Sequence, residues 1–325
     1  MLISSIIITF LLTFAILVFL LKTNLKNMVL DTPNQRSLHH EVVPRSGGVA
    51  IMAGVLLTWA FYEQTWFWSI LVLILVVISL LDDIKGLSIK WRFLIQMIVS
   101  ALFIYYGLSA LAWWLSVLIV FGIVWMVNLY NFMDGSDGLA GGMAVIGFST
   151  YALAAYMADD HQIVLMSASL ASAALAFLIF NFHPAKIFMG DGGSIPLGFL
   201  AASIGVYGCQ HDLWAIWFPV LVFSPFIIDA TVTLLKRGYF REKVWQAHRS
   251  HYYQRLVQMG YGHTKTALYE YSLMISVALS ALVLNRSGLM QVAIGLFIWI
   301  VIYAILLFLI DQRWKQFQHM TAVIR

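Results

Sequence analysis

Trp113-Trp-Leu-Ser-Val-Leu-Ile-Val-Phe-Gly-Ile-Val-Trp-Met-Val-Asn128-Leu-Tyr-Asn131-Phe-Met-Asp134-Gly-Ser-Asp137-Gly-Leu-Ala-Gly-Gly142 passes from an apolar run to a segment holding two Asn, two Asp and four Gly. The run from about Trp113 to Val127 reads as a membrane-spanning helix, and another apolar run leaves from Leu139. The polar residues therefore sit at a membrane boundary between two spans, where carboxylates are costly unless they serve a function. Glycines let a backbone approach a bound group closely, and carboxylate and amide oxygens beside them suit a hard cation such as Mg²⁺. A plain turn between helices uses the same residue types, so this stretch alone leaves both readings open.

Composition places the rest of the chain around that boundary. Of 325 residues, 62% are hydrophobic and 10% charged, a balance that predicts an all-α polytopic membrane protein with a single transmembrane domain over residues 1–325. The first apolar run lacks a small-residue cleavage site and is read as a helix that stays in the membrane. A single cysteine, Cys209, excludes an internal disulfide.

Runs of membrane length fall near 2–21, 47–62, 65–81, 92–111, 113–130, 139–157, 163–180, 194–208, 213–235, 267–285 and 289–310, which predicts about eleven spans. With the segments between them falling on alternate sides, every Lys and Arg except Arg286 belongs to one set of loops. The positive-inside rule assigns that set to the cytoplasm, in a bacterial inner membrane, with the N-terminus outside.

Every unusual polar cluster lies on the same side as those basic loops. A transporter would hide ionisable residues at the bilayer midplane between broken helices; here they crowd one mouth. Asp31-Thr-Pro-Asn-Gln-Arg36-Ser-Leu-His39, with Pro44-Arg45-Ser-Gly-Gly48 behind it, suits anionic lipid or phosphates equally well, and Arg36 and His39 are candidate contacts. Asp82-Asp83 emerges from an uncharged span, with Lys90 and Arg92 opening the next helix. Groups of both signs at a helix entrance can manage Mg²⁺ and a phosphate chain together, and the carboxylate pair is a candidate for acid/base work. In Phe188-Met-Gly-Asp191-Gly-Gly-Ser194 a carboxylate stands between glycines just before a span. The last cluster is His248-Arg249-Ser-His251-Tyr-Tyr-Gln-Arg255. On a helix the two His share a face with Arg255, and with no Cys and no third close ligand the set fits an anionic diphosphate better than a structural zinc.

Taken together these motifs resemble the polyprenyl-phosphate N-acetylhexosamine-1-phosphate transferases, the membrane superfamily that includes the phospho-N-acetylmuramoyl-pentapeptide transferases. The resemblance rests on four motifs in the family's order: Asp82-Asp83 followed by Lys90 and Gln96, Asn131-Phe-Met-Asp134-Gly-Ser-Asp137-Gly-Leu-Ala, Phe188-Met-Gly-Asp191-Gly-Gly-Ser194, and a His-x-x-His loop. It implies that Asn131 and Asp191 are Mg²⁺ ligands, with Mn²⁺ as a substitute. It also implies that Asp137, with Asp134 beside it, contacts the donor and reads the uracil edge, and that Lys90 contacts the diphosphate. Asp82 and Asp83 resemble the pair assigned to the acceptor phosphate or its deprotonation. His248, Arg249 and His251, with Arg255, match the loop near the diphosphate and sugar, and Asp229 resembles an acidic position near the cavity. Two departures stand out. Gly86 occupies the place of a third Asp, and His248-Arg-Ser-His251 replaces consecutive histidines, which is closer to the branch that starts O-antigen and other lipopolysaccharide side chains.

The reaction so implied is transfer of N-acetylhexosamine-1-phosphate from a UDP-N-acetylhexosamine to undecaprenyl phosphate, with release of UMP. Direct displacement and a covalent Asp intermediate both remain open. A homodimer is compatible with this reading, and nothing in the sequence points to nucleic acid. Two other readings are a transporter or lipid flippase with a polar cytoplasmic gate, and a phosphatidyltransferase. The first is opposed by the one-sided clusters and the second by the missing Asp-Gly-x-x-Ala-Arg signature. For Asp137 the alternative is a cap on the helix starting near Leu139.

Overall fold

The computed structural model describes residues 2–24, 30–31, 38, 42–108, 111–244, 246 and 248–324. Arg36 and His39 lie outside the described residues. The chain is almost wholly helical: α1 (Leu2–Lys22), α2 (Gly47–Trp59), α3 (Trp66–Lys85), α4 (Ile89–Gly107), α5 (Trp113–Phe132), α6 (Leu139–Tyr156), α7 (His161–Asn181), α8 (Asp191–Gln210), α9 (Trp217–Val222), α10 (Ser224–Tyr239), α11 (Tyr252–Leu256), α12 (Gly262–Leu284) and α13 (Leu289–Ile324). Two residues from each side, β1 (Leu30–Asp31) and β2 (Val43–Pro44), pair antiparallel ahead of α2.

Among the described residues nine helices are long and apolar enough to cross a membrane. The other two expected spans take different forms. Residues 47–62 give a 13-residue α2, and 213–235 is broken into α9 and α10 at Phe223, where Ser224-Pro225 restarts the helix because proline cannot donate the N–H that a continuous helix needs. The span expected at 92–111 begins and ends earlier, at Ile89–Gly107. Gly86 ends α3 in the left-handed conformation at φ 65°, its N–H donating to the carbonyl of Asp82.

α6, α7 and α8, rich in Gly, Ala and Ser, form the centre of the bundle, and α8 is 78% buried over its apolar window against 11% for α13. Small side chains let these helices approach without apolar bulk, the packing mode that works where lipid is as apolar as the protein. Around 54 Å of helix follows from the 36 residues of α13, more than a hydrocarbon core of about 30 Å, so its last turns project beyond the membrane.

Two sets of bonds separate the ends of the bundle. At one end Gln162 donates to the carbonyl of Gln64, Asn285 to that of Leu213 and Arg286 to that of Met157. At the other end the loops 42–46, 86–88, 133–138, 182–190 and 248–251 come together and carry the charged clusters.

Candidate active site

The mouth is built by backbone first. The strand-like segment before α2 lies along the segment before α8: Phe188 N–H donates to Pro44, Gly47 to Phe188 and Gly48 to Met189, at 2.7–2.9 Å. A Cβ on Gly48 would stand 2.2 Å from the Gly193 backbone, so only glycine lets the two helix starts touch. That contact carries Arg45 to Asp191, the first residue of α8, across 146 positions of sequence.

Arg45 Nη2 donates to Asp191 Oδ1 at 3.0 Å and lies 3.7 Å from Asp83 Oδ1. From the first turn of α4, Arg92 reaches Asp82 Oδ2 at 2.8 Å with Nη1 and Asp191 Oδ2 at 3.2 Å with Nη2. Three carboxylates from α3 and α8 thus share two guanidiniums. Asp134 joins them from the α5–α6 loop. Burial pushes its carboxyl well above the ordinary range; the charge of Arg45 opposes that, Asp191 adds to it, and a hydrogen bond from the Gly190 N–H pulls it down.

Of the expected members, Lys90, the expected diphosphate contact, is exposed at the start of α4 and forms no ion pair among the described residues; Arg92, one half-turn on, is the cation of α4 that joins the carboxylates. Asn131 stands in the last turn of α5, and among the described residues its side chain makes no hydrogen bond, leaving its amide oxygen available. No three His, Cys, Asp or Glu side chains converge as a ready metal cage among the described residues. The donor set nevertheless fits Mg²⁺, which takes one or two carboxylates and keeps several waters. Asp82, Asp83, Asp134 and Asp191 supply hard oxygens, although both oxygens of Asp191 are engaged by arginine.

Asp137 is not a helix cap. The N-cap of α6 is Gly138, at φ 77°, and its N–H donates to Asn181 Oδ1. The carboxylate of Asp137 instead turns to the 182–190 loop, where Oδ2 lies 2.6 Å from His183 Nδ1 and accepts from the Ala185 N–H at 3.2 Å. His263, from the start of α12, stacks on His183 with ring centroids 5.1 Å apart and sets its Nδ1 2.9 Å from Ser136 Oγ. His183 and His263 were not singled out in the sequence. His183 lies five residues before the Phe188–Ser194 motif, and His263 is in a different part of the chain, with no local signal.

The His-x-x-His loop is not a helix. His251 is the N-cap of α11 in a reciprocal capping box with Gln254, so His248 and Arg255 do not share a helical face with it. Asp229, in α10, fixes this start: Oδ1 accepts from the Tyr252 N–H and Oδ2 from the Tyr253 N–H, both at 2.9 Å, and His251 Nδ1 lies 3.2 Å from Oδ1. The Tyr253 hydroxyl donates to the carbonyl of Phe132, docking the loop against the end of α5 next to Asp134. His248 packs on His251 at 4.8 Å, and burial, His251 and Arg237 push its pKa down to about 4, so the ring is neutral at pH 7. Arg249 is exposed. Arg255 turns away from the mouth, pairing with Asp311 of α13 at 2.8 Å over the Tyr252 ring, and Lys236 pairs with the same carboxylate. Arg255 therefore belongs to the scaffold that holds α11 to α13.

Comparison with known proteins adds an independent line. Residues 65–209, which span α3 to α8 and all three aspartate motifs, match the model of glycosyl transferase family 4. The chain is similar to a probable undecaprenyl-phosphate N-acetylglucosaminyl 1-phosphate transferase of Bacillus subtilis, at 33% identity over 88% of this chain and 87% of that protein. It is also similar to a decaprenyl-phosphate N-acetylglucosaminephosphotransferase of Mycobacterium tuberculosis, at 29% over 74% and 71%. A third relative is a phospho-N-acetylmuramoyl-pentapeptide-transferase of Listeria monocytogenes, at 28% over 69% and 77%. With the four motifs brought to one mouth of a helical membrane bundle and a relative of this similarity covering most of both chains, the protein belongs to glycosyl transferase family 4, the polyprenyl-phosphate N-acetylhexosamine-1-phosphate transferases.

Proposed function

We propose that the protein transfers N-acetylhexosamine-1-phosphate from a UDP-sugar to undecaprenyl phosphate in the bacterial cytoplasmic membrane, releasing UMP and starting a surface or cell-wall polysaccharide. The observation that carries this reading is the convergence of Asp82, Asp83, Asp134 and Asp191 with Arg45 and Arg92 at the end of the bundle that bears the basic loops. The positive-inside rule puts that end in the cytoplasm, where nucleotide sugars are found.

An apolar groove of about 680 Å³ supports a lipid acceptor. It runs between α5, α8 and the broken α9–α10, lined by Leu118, Trp125, Met126, Val220 and Phe223, and reaches Leu129, two residues before Asn131. Leu118 and Val220 are at least half exposed on the lipid-facing side, so a polyprenyl chain can enter from the bilayer with its phosphate toward the mouth.

The reaction brings two anions together, and its barrier is mainly electrostatic. An oxygen of the lipid phosphate attacks the phosphorus that carries the sugar, and the bond from that phosphorus to the oxygen of UMP breaks. Asp191, with Asn131, would hold Mg²⁺, which when bound neutralises charge on the diphosphate. Arg92 and Arg45 supply fixed positive charge beside the diphosphate. Asp82 and Asp83 orient the acceptor phosphate and take any proton it still carries, a modest contribution because a phosphomonoester is largely ionised near neutral pH. His248, neutral and with its Nδ1 2.8 Å from Ser250 Oγ, offers its other ring nitrogen to the sugar phosphate. Asp137 accepts the imide N–H of uracil.

Membranes containing the protein should release UMP from UDP-N-acetylglucosamine or a related donor only when Mg²⁺ and a polyprenyl phosphate are both present, with formation of a lipid-diphosphate sugar. UMP release without the lipid, or none with any UDP-N-acetylhexosamine, would remove the proposal.

A further inference from the structure

Asp191 is held by two guanidiniums from different elements. Arg45 comes from the turn before α2 and Arg92 from the first turn of α4, at 3.0 and 3.2 Å, one on each carboxylate oxygen. Each arginine also reaches a second carboxylate, Asp83 at 3.7 Å and Asp82 at 2.8 Å. A divalent cation approaching Asp191 thus meets two positive charges already in place. Both arginine side chains are about a third exposed, at 32% and 28%, whereas Asp82, Asp83 and Asp191 are at 10% or less. The guanidiniums therefore have room to turn toward the mouth while the carboxylates stay.

We propose that Arg45 and Arg92 are placeholders for the donor: they compensate Asp191 until a nucleoside diphosphate sugar arrives, then transfer their forks to its diphosphate and free Asp191 for the cation. This rests on the reading of the mouth as a nucleotide-sugar site with a divalent cation at Asp191. A guanidinium matches phosphate oxygens two at a time, so the exchange replaces two charge-assisted bonds with two others and gives up little. Its consequence is linkage. Cation alone binds weakly, donor and cation bind as a pair, and each strengthens the other by the same factor. Until the donor arrives, Asp82, Asp83 and Asp191 share the two guanidiniums.

The test uses the full-length protein in detergent, with Mn²⁺ binding read from the free-ion paramagnetic resonance signal, with and without UDP-N-acetylglucosamine. In the wild type, saturating donor should tighten Mn²⁺ by at least about tenfold, the size of one charge-assisted hydrogen bond. Arg45→Gln and Arg92→Gln should each bind Mn²⁺ more tightly without donor and show a smaller enhancement with it. Lys90→Gln removes a positive charge from the same mouth but breaks no ion pair, and should leave donor-free affinity within about twofold, since a screened exposed charge is worth little. Arg92→Lys should restore weak donor-free binding but only part of the enhancement.

Equal or weaker Mn²⁺ binding in both glutamine variants overturns the inference, as does a wild type whose Mn²⁺ affinity ignores the donor; the latter needs no variant and so does not depend on how the variants fold. Asp191→Asn separates the two levels. If it leaves donor-dependent Mn²⁺ binding intact, the cation is not at Asp191 and both that assignment and the placeholder role fall; if it abolishes binding while the arginine variants behave as wild type, only the placeholder role falls.

Discussion

His183 Nδ1 lies 2.6 Å from Asp137 Oδ2, a bond between the loops that follow α7 and α5. The imidazole and the Ala185 N–H at 3.2 Å take one oxygen of the carboxylate, while the other lies 3.8 Å from His263 Nδ1 and accepts no hydrogen bond among the described residues. One oxygen is thus fixed to the protein, and the second has capacity for an incoming N–H donor. That asymmetry is what a base-reading carboxylate needs, because orientation costs nothing further when the ligand binds.

Asp137→Asn should raise KM for the UDP-sugar and relax the preference for uridine over cytidine, by the about 1.5–3 kcal/mol of a charge-assisted hydrogen bond. The His183 bond predicts a fall in melting temperature as well. Steady-state kinetics with UDP- and CDP-sugars distinguish the roles: an unchanged KM and base preference beside a lowered melting temperature would leave Asp137 as a loop staple only.

Asp191→Asn and Asn131→Ala should leave the protein inserted and folded while removing nearly all turnover. Among the described residues Asp191 is engaged only by the two arginine side chains and the Asn131 side chain makes no hydrogen bond, so neither holds the apolar core. Full turnover at ordinary Mg²⁺ concentration in either variant would refute its assignment as a ligand.

Asp229→Ala should free the 248–251 loop. The carboxylate accepts two backbone N–H bonds and lies against His251, contacts worth about 1.5–3 kcal/mol each when one partner is charged. Limited proteolysis within 240–251 should speed up, and kcat should fall by at least about tenfold through misplacement of His248. Wild-type resistance to protease would show that the loop is held by other contacts.

The neutral His248 makes an acid-side prediction. Its folded pKa of about 4 lies below the ordinary 6.5, so between those values the unfolded chain binds more protons and stability falls as pH drops from about 6.5 to 4. His248→Gln should flatten that part of the melting-temperature profile. Identical slopes for both proteins over that window would contradict the burial-driven shift.

Cysteines placed at Gln246 and Ala158, in a Cys209→Ser background, should label from opposite sides, with Gln246 cytoplasmic. Ala158 is exposed in the turn after α6, and is preferable to Asp160, whose Oδ1 caps α7 by accepting from the Ile163 N–H at 2.8 Å. Labelling of both from outside would invert the catalytic face.

The sequence by itself determined the class, the approximate spans and the side on which chemistry gathers. Apolar length and the Lys/Arg distribution are local quantities, read without knowing which helix packs on which. It also carried the family, because the Asp82-Asp83, Asn131–Asp137 and Asp191 motifs are contiguous in the chain. Only the tertiary structure decided which charges meet. Arg45 stands on Asp191 because the Gly48–Gly193 approach joins two distant segments, 146 residues apart at that ion pair, in a way no periodicity encodes. Arg255 faces α13 rather than the mouth, because Asp229 ends the His loop and starts α11 at Tyr252, rotating the side chains that follow away from those before it. Asp137 is free to pair with His183 because Gly138, not Asp137, is the N-cap of α6. Long-range ion pairs depend on helix packing, and packing is set by where small residues on distant segments allow backbones to touch.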